Sequence, residues 1–273
     1  MQVTHLFVYP IKSLGGFSLQ TAEITGTGFK HDRRWMLVDE NNLFLSQRSH
    51  PQMALLQTAE TATGIEVFHK NNPSLSIIIP FTNENTAVIK VQVWDDICDA
   101  IVVNNLCNEW FSTMLQINCK LVYMPENTKR LVDKRYAGNE EITSFSDGYP
   151  LLMIGQSSLD NLNEKLSEPL PMNRFRPNIV FTGGHAHIED EMREFAIQEN
   201  NFLGVKPCSR CIMTTINQQT AEKGKEPLTT LATYRMKNNK IYFGQNVLQQ
   251  QNGFISVGDE IKILKRASSI LSA

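Results

Sequence analysis

The sequence contains no apolar run that could cross a bilayer. Its longest apolar segments, such as residues 75–80, are a few residues long, whereas a spanning helix needs about 20. No basic stretch is present either, and the formal net charge is −2. Wholesale electrostatic binding to nucleic acid is thereby excluded, and any cluster of cations has to be assembled by folding. The N-terminus, Met1-Gln2-Val3-Thr4-His5, lacks the basic n-region and long h-region of a secretory signal. Five cysteines form an odd set without framework spacing, which argues against a disulfide scaffold and for a reducing, cytoplasmic location. Internal repeats and low-complexity tracts are also missing. What remains is an ordinary globular composition, 273 residues with 41% hydrophobic and 20% charged. That length suits two moderate domains with substantial cores.

Short runs bounded by turn residues predict strands over residues 3–9, 17–24, 34–38, 64–69, 75–80, 87–94 and 99–103. Asp39-Glu40-Asn41-Asn42 reads as a hairpin turn with a return strand over 43–47. Strands this closely spaced predict a small barrel or sandwich. Asn104 or Asn105 can cap a helix whose apolar face is Leu106, Trp110, Phe111, Met114 and Leu115. After a strand over 119–124, residues 125–141 are polar and without period, and the domain boundary is placed there, giving 1–125 and 126–273. A strand over 150–154 leads into a helix, with Ser157-Ser158-Leu159-Asp160 resembling a capping box. Strands follow over 178–181, weakly over 195–205, and over 241–248 and 254–264, with a short helix starting at Pro227. The fold class is α+β, predominantly β.

The stretch richest in chemistry is Pro207-Cys208-Ser209-Arg210-Cys211-Ile212-Met213-Thr214-Thr215. Pro207 is expected to stop any regular element before the thiols, and the β-branched run after them reads as a strand. The cysteines would then sit on a loop tip. A zinc site needs two further ligands, and Cys98, Cys107, Cys119 and His185-Ala186-His187 are poorly spaced for it. A redox pair would want the first thiol at a helix N-terminus. Two small packed side chains are the plainest alternative.

Other cations fall at strand starts or just past strand ends: Lys12-Ser13, Arg33, Arg176-Pro177-Asn178 and Arg210. Alone, each suits solvent; gathered by converging loops, they would bind an anion with several phosphate or oxo oxygens. Asp147, in Phe145-Ser146-Asp147-Gly148-Tyr149-Pro150, suits either proton relay or turn stabilisation.

Taken together, Tyr9-Pro10-Ile11-Lys12-Ser13, Asp32-Arg33-Arg34-Trp35, Phe145-Ser146-Asp147, Asn173-Arg174-Phe175-Arg176-Pro177-Asn178 and the cysteine stretch resemble the MOSC family. More narrowly they resemble its branch with an N-terminal MOSC β-barrel domain, which includes the mitochondrial amidoxime-reducing component and its bacterial relatives. The resemblance implies an N-terminal β-barrel-like domain followed by a MOSC β-barrel domain with a few helices. It also implies a molybdenum cofactor with Cys211 as the metal ligand. Lys12, Ser13, Arg33, Arg176, Asn178, Ser209 and Arg210 match positions that grip the pterin and its phosphate, and Asp147 matches an acidic residue near the metal. Gly148 and Tyr149 stand where some relatives carry hydroxyl residues that touch the cofactor. The implied reaction removes oxygen from amidoximes or N-hydroxylated bases, with electrons from an external flavoprotein, ferredoxin or cytochrome b5-like haem protein. No cysteine follows Cys211, so no cluster is encoded, and the membrane anchor of the mitochondrial relatives is not expected. The alternative implied by the same resemblance is a cofactor carrier or sulfur-transfer protein of the MOSC sulfurase type. A third is a scaffold in which Cys208 and Cys211 form a structural zinc or disulfide element.

Overall fold

The computed structural model describes residues 1–82, 85–138 and 140–268. These form nineteen strands, three α-helices and short 3-10 turns, the mostly β architecture predicted. Among the described residues no helix is long and apolar enough to cross a membrane.

The largest sheet has nine strands. Its main path runs Ile261–Arg266, Met192–Ile197, Asn200–Arg210, Lys240–Gln249, Leu151–Gly155, Ile179–Thr182, Gln2–Val8 and Phe17–Leu19, and Met236–Lys237 pairs with Lys240–Gln249 off that path. Only the pair Leu151–Gly155 and Ile179–Thr182 is parallel within it. Parallel neighbours need a crossover, and helix Gln156–Asn163 lies on that connection. A four-stranded sheet orders Trp35–Val38, Lys120–Tyr123, Asp96–Val102 and Val88–Val93. Two three-stranded sheets complete the molecule: Leu56–Glu60, Gly64–His69, Asn72–Pro80, and Gly253–Ser256, Thr21–Thr25, Gly28–Phe29.

Sequence patterns explain the main placements. Strand Trp35–Val38 is apolar at every position because both its faces are covered. Trp35 and Leu37 enter one core with Ile11, Phe111 and Leu121, while Met36 and Val38 enter another with Val91, Val122 and Phe145. Helix Asn105–Leu115 starts as predicted, the Asn104 side chain accepting a hydrogen bond from the Cys107 amide at 2.8 Å. Such a cap is worth about 1 kcal/mol.

Several local expectations are corrected. Residues 17–24 form two strands, because the chain leaves Gln2–Val8 after Leu19 and pairs with Gly253–Ser256 from Thr21 onward. Residues 254–264 likewise divide into Gly253–Ser256 and Ile261–Arg266. The return strand over 43–47 is reduced to isolated bridges at Leu43 and Phe44, and strand Leu56–Glu60 was not foreseen. Helix Gln156–Asn163 is capped at Gly155 with no side-chain bond. Ser158 instead donates to buried Glu189 at 2.8 Å.

The cysteine stretch departs most. Strand Asn200–Arg210 runs through Pro207 and Cys208, and a 3-10 turn, Ile212–Thr215, follows Cys211. Pro207 is tolerated because the ladder with Lys240–Gln249 is irregular there, shifting register between Pro207 and Ser209. The Thr214 and Thr215 hydroxyls donate to the Cys211 and Ile212 carbonyls, at 3.0 and 2.8 Å. Those local bonds favour the turn over a strand.

The two sequence halves are joined by main-chain pairing. Gln2–Val8 pairs with Ile179–Thr182, and Thr21–Thr25 with Gly253–Ser256. Both ladders cross the division at residue 125, and residues 269–273, grouped above with the second half, lie outside the described residues. The pairing brings the segment after Gln2–Val8 against the segment before Ile179–Thr182, which sets up the cavity described next.

Candidate active site

Five segments converge on a cavity of about 260 Å³. Residues 9–14 are fastened to residues 33–35 by main-chain bonds: Arg33 N to Tyr9 O, Lys12 N to Trp35 O, and Trp35 N to Pro10 O, each 2.9–3.0 Å. The Phe145 amide donates to the Arg33 carbonyl at 3.0 Å, and the Asn178 amide to the Leu152 carbonyl at 2.8 Å. These tie the segments around 147 and 176 to the same place. The end of strand Asn200–Arg210 closes the wall with Ser209, Arg210 and Cys211.

All the predicted site residues line this cavity: Lys12, Ser13, Arg33, Asp147, Gly148, Tyr149, Arg176, Asn178, Ser209, Arg210 and Cys211. Three of them, Ser13, Arg33 and Arg176, hold left-handed backbone at φ 70°, 49° and 54°. That conformation is uncommon for residues with a side chain and is found where surrounding structure enforces it, often at functional sites. Among the cations, Arg48, Arg174 and Lys206 also line the wall and were not picked out from the sequence. Arg48 had a usable signal, since it follows a predicted strand end as the other cations do. Seven Lys or Arg residues thus face one acidic residue, in a chain whose net charge is −2.

Lys12 is the most enclosed of the cations. Its Nζ donates to the Phe145 carbonyl at 2.8 Å and to Asp147 Oδ1 at 2.5 Å, and the residue is 4% exposed. Burial lowers its pKa to about 8, although Asp147 opposes the shift. Enclosure by protein alone would raise the Asp147 pKa; Lys12, Arg48 and the Trp94 N–H outweigh it and hold the carboxyl well below the usual range. Solvent still reaches 60% of the Asp147 side chain, so part of this attraction is screened. Arg33 donates to buried Asp32 at 2.5 Å and to Asn178 Oδ1 at 3.1 Å. The guanidiniums of Arg33 and Arg176 lie 4.4 and 4.3 Å from the Tyr9 ring centre. Such cation–aromatic contacts fix the two side chains in place.

Arg210 donates to the Phe243 and Phe175 carbonyls at 2.7 and 3.0 Å, while its buried Nη2 has no hydrogen-bond partner among the described residues. The Cβ that Gly244 lacks, at φ 79°, would stand 3.3 Å from that nitrogen. The two thiols differ. Arg48 Nε donates to Cys211 Sγ at 3.4 Å. Cys208 has a raised pKa, from burial first and only partly offset by Arg210. Among the described residues no cluster of three or more His, Cys, Asp or Glu could hold a metal ion, so a closed four-ligand zinc site has no partner set here. One thiol beside an electropositive wall instead suits a metal that brings its other ligands with it.

A β-rich chain with a thiol set in a cation-lined cavity is the class that fold and site define. Family models place it more narrowly: "MOSC N-terminal beta barrel domain" matches residues 1–118 and "MOSC domain" matches residues 140–262. Mitochondrial amidoxime-reducing component 1 of Mus musculus is 30% identical over 287 residues, covering 96% of this chain and 82% of the relative. The Homo sapiens protein of the same name is 29% identical with the same coverage. Molybdenum cofactor sulfurase of Arabidopsis thaliana is 30% identical over 93% of this chain, which spans only 34% of that larger protein. The chain belongs to the MOSC family, with the family's N-terminal β-barrel domain.

Proposed function

We propose that this protein binds a molybdenum–pterin cofactor and reduces N-hydroxylated substrates such as amidoximes. The observation that carries the reading is the Cys211 thiol set in a wall of seven cations and one acid. The wall fits the group: the buried, unpartnered Nη2 of Arg210 asks for an acceptor, and guanidinium forks match phosphate oxygens. Cys211 would ligate the metal. Ser209, Arg210, Arg174, Arg176 and Lys206 would hold the pterin and its phosphate, with Ser13, Arg33, Asn178, Gly148 and Tyr149 shaping the remaining wall. When bound, such a cofactor supplies a metal able to accept an oxygen atom and pass on two electrons.

The protein's own part is binding and proton supply. Removing oxygen from an N–OH group consumes two protons and two electrons and yields the N–H product and water. At neutral pH Asp147 is ionised and Lys12, with its pKa near 8, is protonated. The proton this pair offers therefore sits on Lys12 Nζ, and solvent-exposed Asp147 orients it. Electrons come from an external donor protein. The likeness to the plant sulfurase favours a second reading, a cofactor carrier without turnover.

Molybdenum and pterin content of freshly purified protein, followed by turnover of an amidoxime with an artificial reductant, separates these readings. Bound molybdenum with turnover supports the reductase, and bound molybdenum without turnover supports the carrier. Stoichiometric zinc with no molybdenum ends both. Cys211→Ser is expected to lose molybdenum and activity while the protein stays folded, and Cys208→Ser to have a milder effect. Equal loss in the two variants favours a two-thiol site.

A further inference from the structure

One partly exposed tryptophan, Trp94, touches two residues of the cavity wall, Arg48 and Asp147. Arg48 Nε donates to Cys211 Sγ at 3.4 Å, and its Nη2 stands 3.7 Å from Asp147 Oδ2. The Arg48 guanidinium carbon lies 4.2 Å from the Trp94 ring centre, and Trp94 Nε1 donates to Asp147 Oδ1 at 3.2 Å. Phe44 packs near the same indole, ring centres 5.0 Å apart. Trp94, Arg48 and Asp147 thus close a ring of contacts, with Cys211 attached through Arg48.

Trp94 occupies an unexpected place. It lies in the turn between strands Val88–Val93 and Asp96–Val102, with a left-handed backbone at φ 57°. Glycine or asparagine meets that requirement at lower cost, and a bulky side chain there is an outlier. Strain of this kind persists where the surroundings over-determine it, and it gathers at functional sites. The indole's polar contact is to a site residue, and its ring lies against a second. Arg48 is similarly committed, its fork spanning the sulfur and the carboxylate.

We propose that Trp94 and Arg48 are positioning residues, supplied by the N-terminal half, which hold the Asp147 carboxylate in fixed relation to the Cys211 sulfur, so that a substrate bound beside the Cys211 site also lies within reach of Asp147. The proposal rests on the reductase reading above.

Two measurements test it. The chain has three tryptophans, so 15N-labelled holoprotein should show three indole N–H cross-peaks, with Trp94→Phe identifying the one that belongs to Trp94. Asp147→Asn is expected to shift that cross-peak and leave the other two in place; an unmoved cross-peak overturns the contact and the proposal. Trp94→Phe keeps a ring against Arg48 but removes the donor. It is expected to lower kcat about tenfold, the effect of losing one hydrogen bond to a charged group, with KM and molybdenum content held within about twofold. Arg48→Lys, which keeps the charge but loses the fork, is expected to lower kcat similarly. Unchanged kcat in both variants, or molybdenum loss in step with the rate, overturns the proposal and leaves the reductase reading intact. A wild-type protein that holds molybdenum but does not turn over removes the reductase reading and the proposal with it.

Discussion

The two walls of the cavity carry charge of the same sign but anchor it differently. Cations from the N-terminal half face carboxylates: Lys12 and Arg48 share Asp147, and Arg33 takes buried Asp32. On the C-terminal wall the guanidiniums are held by main-chain carbonyls. Arg174 donates to Thr214, Arg176 to Leu14, and Arg210 to Phe175 and Phe243, while Lys206 lies 4.8 Å from the Tyr136 ring centre. A carboxylate cancels a cation's charge, whereas a carbonyl fixes its direction and leaves the charge in place. The first wall is therefore largely self-neutralised, and the second projects positive potential into the cavity. Arg176 registers the difference. Burial, and then repulsion from Arg33, lower its pKa to about 10, a discomfort that a bound anion would relieve.

The comparison is broken most directly by removing one cation from each wall. Arg33→Ala leaves the Asp32 carboxylate, 1% exposed, without its cationic partner, though the Tyr9 amide still donates to it. Orphaning a buried charge costs about 3–5 kcal/mol, so the variant should show a large drop in unfolding free energy by urea titration. Adding Asp32→Asn should recover much of it. If Arg33→Ala instead keeps full stability and loses only cofactor, the N-terminal wall is not the structural one. Arg210→Ala should behave the other way round. One charge-assisted hydrogen bond contributes about 1.5–3 kcal/mol, so cofactor retention should fall about tenfold to a hundredfold, with a smaller change in stability than in Arg33→Ala. The loss should weaken in high salt, read as pterin remaining after dialysis. Arg176→Ala should follow the same pattern, and indifference of both to salt contradicts the assignment of free charge to that wall.

The sequence made the C-terminal wall's thiol legible but not its setting. Residue types and spacing located Cys211, Arg210 and Arg176, because loops flanking strands are where binding groups gather. Pro207 does not end the strand as expected, because a proline is excluded only from a regular ladder, and this ladder is irregular there. The hydroxyl bonds of Thr214 and Thr215 likewise overrode their β propensity. On the opposite wall, Arg48 follows the expected end of the 43–47 strand as the other cations follow theirs, but no motif marks it, and the structure reduces that strand to bridges. Trp94 looked like the end of a strand, although a tryptophan beside Asp95-Asp96 in a turn is itself unusual. The crossing of Gln2–Val8 into the large sheet was not readable at all, since strand pattern gives a strand's face but not its neighbour.

The smallest expected effect concerns Lys12 and sharpens the contrast through pH. Its pKa in the folded protein is about 8, below the ordinary 10.5, chiefly through burial. Between these values the unfolded chain carries a proton that the folded protein has released. The unfolded state therefore binds more protons, and this group makes unfolding free energy rise with pH across the window. Lys12→Met should flatten that slope, measured by urea titration at a series of pH values. Between about pH 7 and about pH 9 the first wall loses most of its lysine charge, whereas Arg176 on the second, with a pKa of about 10, keeps most of its own. If the second wall holds the anion, pterin retention should change by no more than about twofold between about pH 7 and about pH 9. A tenfold decline centred near the Lys12 pKa, abolished in Lys12→Met, would move the anion's hold to the first wall. Lys12's proton, offered beside Asp147, would then belong to binding as much as to chemistry.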